Sequence, residues 1–76
     1  MADFKIDARF LLCPLPVLKA QKKLKSMNAG DTLTVIGTSD DGIKEFEIFC
    51  SDKNIEIISS RKTQDTWHVI LRITHP

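Results

Sequence analysis

Phe4-Lys5-Ile6-Asp7-Ala8-Arg9-Phe10-Leu11-Leu12-Cys13-Pro14-Leu15-Pro16-Val17-Leu18-Lys19-Ala20 changes its hydrophobic period part-way along. Phe4, Ile6 and Ala8 alternate with Lys5 and Asp7, the two-residue period of a half-buried strand. Val17, Ala20, Leu24 and Met27 then recur at helical spacing, with Lys19, Lys22, Lys23 and Lys25 mostly on the opposite face. The junction is Cys13-Pro14-Leu15-Pro16. Proline lacks an N–H, which costs nothing in a helix's first turn, where amides have no internal acceptor. Pro14 at the first helical position puts Cys13 at or beside the N-cap.

Working outward, Gly30 marks where the first helix ends, and Ala29-Gly30-Asp31 signals a turn into the β-branched strand Thr32-Leu33-Thr34-Val35-Ile36. Ser39-Asp40-Asp41 are capping residues that predict a second helix running to about Lys53. Its stripe is Ile43, Phe46, Phe49 and Cys50. Ile55–Ser60 reads as a third strand and Trp67–Ile73 as a fourth, joined by the polar Arg61–Thr66 as a hairpin connection. Trp67 reads as core or sheet packing, and His68 falls on the opposite sheet face. The order β-α-β-α-β-β predicts a two-layer α/β (α+β) sandwich, a four-stranded mixed sheet with two helices on one face.

Length and composition bound the possibilities. Seventy-six residues predict a single domain, 1–76, whose thin core leaves no room for a large organic cofactor. Eleven Lys+Arg against ten Asp+Glu exclude a strongly polybasic nucleic-acid binder. No apolar run reaches the roughly 18 residues of a membrane span. The stretch Met1–Asp7 mixes both charges without a secretory apolar segment, which predicts a cytoplasmic protein. Cys13 and Cys50 are too few for a disulfide scaffold, and with His68 and His75 remote in sequence no metal site is expected.

Two readings of Cys13 stand. A lone cysteine before a helix serves as a small hydrophobe. A thiol at a proline-stiffened helix start instead feels the positive end of the dipole, and its pKa falls below the free value of about 8.5. Arg9 adds a second positive charge if the loop folds back. Cys50, on an apolar stripe, reads as core. Asp7 either accepts loop N–H groups and so positions Cys13, or faces solvent. The Lys19, Lys22 and Lys23 face is either plain solvated surface or a docking surface for an acidic partner or RNA.

Asp7-Ala8-Arg9-Phe10-Leu11-Leu12-Cys13-Pro14-Leu15-Pro16-Val17-Leu18 resembles the signature of the TusA/SirA-like family of small sulfur-carrier proteins. Gly30-Asp31-Thr32-Leu33 and Lys44-Glu45-Phe46-Glu47-Ile48-Phe49-Cys50 extend the resemblance over nearly the whole chain. The resemblance implies the same β-α-β-α-β-β sandwich and a persulfide on Cys13. It also implies sulfur supply by a cysteine desulfurase and transfer to an acceptor protein, in several members toward tRNA thiolation. On this reading Cys13 carries the chemistry, Pro14, Pro16, Asp7 and Arg9 shape the site, and Lys19, Lys22 and Lys23 help docking. No cofactor, metal, nucleic acid or membrane is called for.

Three positions depart from the family pattern. Phe10 stands where a glycine is usual, at a position suited to φ > 0 or close backbone approach. Ser39-Asp40 replaces an Asp-Pro, and Glu45 replaces a common helix Asp. The competing reading is a non-enzymatic RNA-binding or regulatory module of the same fold. The absence of Tyr and the stripe placement of most Phe argue against base stacking.

Overall fold

The computed structural model describes residues 2–12, 15–51 and 54–74. Strand β1 (Asp3–Ala8) leads to helix α1 (Leu15–Leu24), β2 (Thr32–Gly37), α2 (Gly42–Cys50), β3 (Ile55–Thr63) and β4 (Thr66–Ile73). The sheet order is β1-β2-β4-β3. β1 pairs with β2 in parallel, and β4 pairs antiparallel with both β2 and β3. β2 and β3 therefore also run parallel, with β4 inserted between them. Parallel strands need a long crossover, and each helix supplies one. The sandwich, with two helices on one face of a mixed sheet, is as the periodicity predicts.

Alternation decides which side is covered. Leu33 and Val35 of β2 and Trp67, Val69, Leu71 and Ile73 of β4 point to one face and are buried. Ala20 and Leu24 of α1 and Phe46 and Cys50 of α2 close over them, with Ile43 and Phe49 packed at the margin. The helical stripes read from spacing are thus the core-facing ones, and Cys50 is buried as expected. Among the described residues no helix is long and apolar enough to cross a membrane.

Three boundaries move. α1 stops at Leu24 and not near Gly30, because the Ser26 N–H and hydroxyl both donate to the Lys23 carbonyl, at 3.0 and 2.9 Å. Ser51 ends α2 in the same way on the Ile48 carbonyl, at 3.3 and 2.8 Å, short of the Lys53 end expected from the sequence, and Lys53 lies outside the described residues. Lys25 and Met27 therefore lie beyond α1, although Met27 still reaches the core. The third shift is in the hairpin. Arg61-Lys62-Thr63 is strand, paired with His68, Trp67 and Thr66, and the turn shrinks to Gln64-Asp65 with φ of 53° at Gln64. Ladder pairing asks only for extended backbone, and cationic side chains suit an exposed edge strand.

The base of the sheet is tied by Asp31, which is buried. Its carboxylate accepts the Asn28 and Ala2 N–H groups at 2.9 and 3.0 Å, and those two bonds lower its pKa. Gly30 turns the chain at φ of 93° and donates its N–H to the Ile73 carbonyl at 2.8 Å.

At the opposite end the Trp67 indole lies edge-on to Phe46, with ring centroids 5.7 Å apart. Its Nε1 donates to the Ser39 carbonyl at 2.8 Å. Gly37 and Gly42 have no side chain because the indole occupies the space a Cβ would need. Gly42→Ala is expected to force ring and helix apart and to destabilise the fold by about 2 kcal/mol. Trp67 is the single tryptophan, so denaturation followed by its fluorescence measures both the loss and the changed ring environment. An unchanged midpoint and emission would contradict the packing.

Candidate functional site

β1 and β2 are parallel and end side by side, Ala8 against Gly37. The loop after β1 and the loop after β2 therefore emerge at the same end of the sheet, each leading into a helix N-terminus. Open α/β sheets place ligand sites at such ends. Cys13 and Pro14 lie outside the described residues. The expected placing of Pro14 at the first helical position and of Cys13 at the N-cap, and the thiol's lowered pKa, fall there too. The flanking residues are well defined.

Pro16 is the second residue of α1 and is buried. The Leu15 N–H donates to the Leu12 carbonyl at 2.8 Å. Pro16, in this first turn, has no N–H to satisfy.

Asp7 stands on β1 and grips the loop that follows. Its Oδ1 accepts the Arg9 N–H and the Arg9 Nε, both at 3.0 Å, and its Oδ2 accepts Arg9 Nη2 at 2.9 Å. Asp7 therefore does bond to a loop amide, as one sequence reading has it. Arg9 is not an unengaged positive charge but is forked onto Asp7, because a bidentate pair two residues apart closes a small ring at little entropic cost. The Arg9 hydrogen bonds hold the Asp7 carboxyl at about 2, against an ordinary 3.8. The same pair raises Arg9.

Phe10 follows at φ of 67° and is 86% exposed. The family's usual glycine position is thus left-handed in this chain, and a bulky residue occupies it. Such a conformation costs about 1–2 kcal/mol for an L-residue. It is held by the Phe10 N–H, which donates to Thr38 Oγ1 at 2.9 Å, and by the Leu11 N–H on the Ala8 carbonyl at 3.3 Å. No local sequence signal singles out Thr38, because its partner comes from the neighbouring loop. Leu11 turns inward toward the core while Leu12 stays 75% exposed.

Phe10, Leu11 and Leu12 form one wall of an open groove of about 580 Å³, and Thr38, Ser39, Asp40 and Asp41 form the other. Asp41 is the N-cap of α2 but makes no side-chain capping bond, contrary to the capping role its sequence suggests. Its φ and ψ of −105° and 20° lie outside the β region, from which an N-cap oxygen reaches back to the helix amides. Its carboxylate is left toward solvent.

The lysines do not form one uninterrupted face. Lys19 Nζ donates to the Asp7 carbonyl at 3.0 Å, and Lys23 lies over the Phe4 ring at 4.3 Å. Lys22 is exposed, as is Lys25 beyond the helix.

The family profile described as Sulfurtransferase TusA matches residues 4–73. This chain belongs to that family. The sulfur carrier protein TusA of Allochromatium vinosum is 36% identical over 74 residues, covering 95% of this chain and 97% of that one. A Neisseria meningitidis serogroup A protein with a provisional sulfur carrier name is 31% identical over 67 residues, 88% of this chain and 90% of its own. One from Methanocaldococcus jannaschii, named likewise, is 25% identical over 68 residues, 90% and 91% of the two chains.

The folded pKa of Asp7 lies below its unfolded value, so the pair with Arg9 contributes stability above about pH 4 that is lost as pH falls toward 2. Carboxyl chemical shifts should place the Asp7 midpoint at about 2 in the wild type and higher in Arg9→Ala, which loses the guanidinium but keeps the backbone N–H bond to Oδ1. A wild-type midpoint near 3.8 would mean that the fork does not form.

Proposed function

We propose that this protein is a sulfur carrier that holds sulfane sulfur as a persulfide on Cys13. Family membership over residues 4–73, with Cys13-Pro14 directly preceding the first residue of α1, is the observation that carries the reading. A cysteine desulfurase supplies the sulfur. The Cys13 thiolate attacks the terminal sulfur of the donor persulfide, the donor S–S bond breaks, and the donor cysteine leaves as a thiolate. In delivery an acceptor thiolate attacks the terminal sulfur on Cys13 in the same way. No external oxidant or reductant is required, because sulfane sulfur is exchanged between thiols.

Cys13 is the catalytic residue. Pro14 and Pro16 stiffen the helix start, and the Asp7–Arg9 fork fixes the loop that leads to it. The positive end of the α1 dipole favours the thiolate. Lys19, Lys22 and Lys23 contribute docking charge, with Lys19 and Lys22 exposed and Lys23 half-buried. The engagement of Lys19 and Lys23 in local contacts favours a protein partner over an RNA face. The carrier acts as a single domain in the cytoplasm and relays sulfur toward tRNA thiolation through a further protein.

Incubation with a cysteine desulfurase and free cysteine should add the mass of one sulfur atom, removable by a thiol reductant. Cys13→Ser abolishes the gain and Cys50→Ser leaves it, with some loss of stability from a hydroxyl in the core. Pro14→Ala slows loading without abolishing it. Sulfur on Cys13→Ser, or none on the wild type with several desulfurases, would overturn the proposal.

A further inference from the structure

The Phe10 ring contributes nothing to the fold that a glycine would not. It is 86% exposed on a left-handed backbone that glycine adopts without strain. Leu12, Leu15 and Leu18 are 75%, 48% and 51% exposed. Leu15 and Leu18 share a face of α1 at i, i+3, and the Leu15 N–H bonds the Leu12 carbonyl. Four large apolar side chains within nine residues thus face solvent at one end of the sheet, far more than scattered surface hydrophobes would give.

The facing wall has the opposite character. The Asp40 and Asp41 side chains are exposed, and their carboxylates have no hydrogen-bond or ion-pair partner among the described residues. The Ser39 Oγ is buried and has no partner either. These acceptors ask for donors, and two adjacent carboxylates ask for positive ones. A nucleic-acid backbone is repelled here.

Resting on the carrier reading above, we propose that the groove between Phe10–Leu12 and Thr38–Asp41 is the docking site for the sulfur donor, which presents an apolar side chain flanked by Lys or Arg. Phe10 is the anchor. It stands three residues before Cys13 in the chain. The cation pairs with Asp40 and Asp41. Aromatic anchors in desolvated pockets dominate interface energies, which accounts for an exposed ring kept at a strained position. The acidic rim contributes chiefly to association rate and to rejection of acidic segments.

Two independent readouts test this. In desulfurase loading assays, Phe10→Gly should raise the half-saturating concentration of the carrier about ten-fold. Asp40→Asn combined with Asp41→Asn should raise it several-fold and flatten its salt dependence. Iodoacetamide alkylation of Cys13 reports the thiol alone, and a parallel fall in that rate would attribute the defect to the thiol and overturn docking. Faster loading by Phe10→Gly, or unchanged half-saturation in both variants, would overturn docking and leave the carrier reading intact. Separately, the peptide acetyl-Arg-Leu-Arg-Leu-Arg-amide should shift the amide resonances of Thr38–Gly42 in the wild type and not in Phe10→Gly. Its Glu-for-Arg counterpart should shift none. Absence of these shifts overturns the inference whether or not the wild type loads sulfur. A wild-type dimer in sedimentation that Phe10→Gly dissolves would assign the groove to a second copy and would likewise overturn it.

Discussion

The placement of the Trp67 indole governs the functional end of this molecule. The ring fills the space above Gly37, where β2 ends, and above Gly42, where α2 begins. Its Nε1 holds the Ser39 carbonyl between them. One side chain on the central strand β4 therefore sets both the exit of β2 and the entry of α2. The acidic wall of the groove is the loop between those two points. A buried indole without a hydrogen-bond partner is costly, so the Ser39 carbonyl and the Trp67 N–H satisfy each other and the loop has little freedom to drift.

The opposing wall is built by a different device. The described part of the loop after β1 is polar at its start and apolar beyond it, and of Arg9–Leu12 only Leu11 packs against the core. Its shape comes from local hydrogen bonds. Asp7 forks Arg9 immediately beyond the strand, and Thr38 then captures the Phe10 amide from across the gap. The second bond links the two walls directly. It couples the loop that leads to Cys13 with the loop that Trp67 pins, so the whole end of the sheet is one connected unit.

The arrangement suits a small chain to sulfur transfer. Carrying a sulfur atom requires an accessible thiol, a stabilised thiolate and a surface another protein can recognise. The parallel β1–β2 pair delivers two helix starts to one end, and the short loops there can diverge without disturbing the core beneath. Phe10 illustrates this freedom, since a ring at a position suited to glycine alters the surface while the ladder below it remains continuous.

The element order, the two core-facing stripes and the burial of Cys50 and Trp67 were all legible in the sequence. Each follows from periodicity, a property of neighbours along the chain. Helix ends were read too long because Ser26 and Ser51 stop the helices through their own hydroxyls, a competition that hydrophobic spacing does not register. The hairpin strand was read too short because Arg61 and Lys62 are polar, whereas strand pairing is a backbone matter. Tertiary structure alone decided that Arg9 is committed to Asp7, that Lys23 lies over Phe4, that Thr38 holds Phe10, and that Gly37 and Gly42 yield to one indole. The Arg9 fork is local in sequence, but the extended strand end and the loop that turns back create its geometry. The other three join residues 19 to 30 positions apart, and only the closed sheet and its crossovers bring such partners within reach.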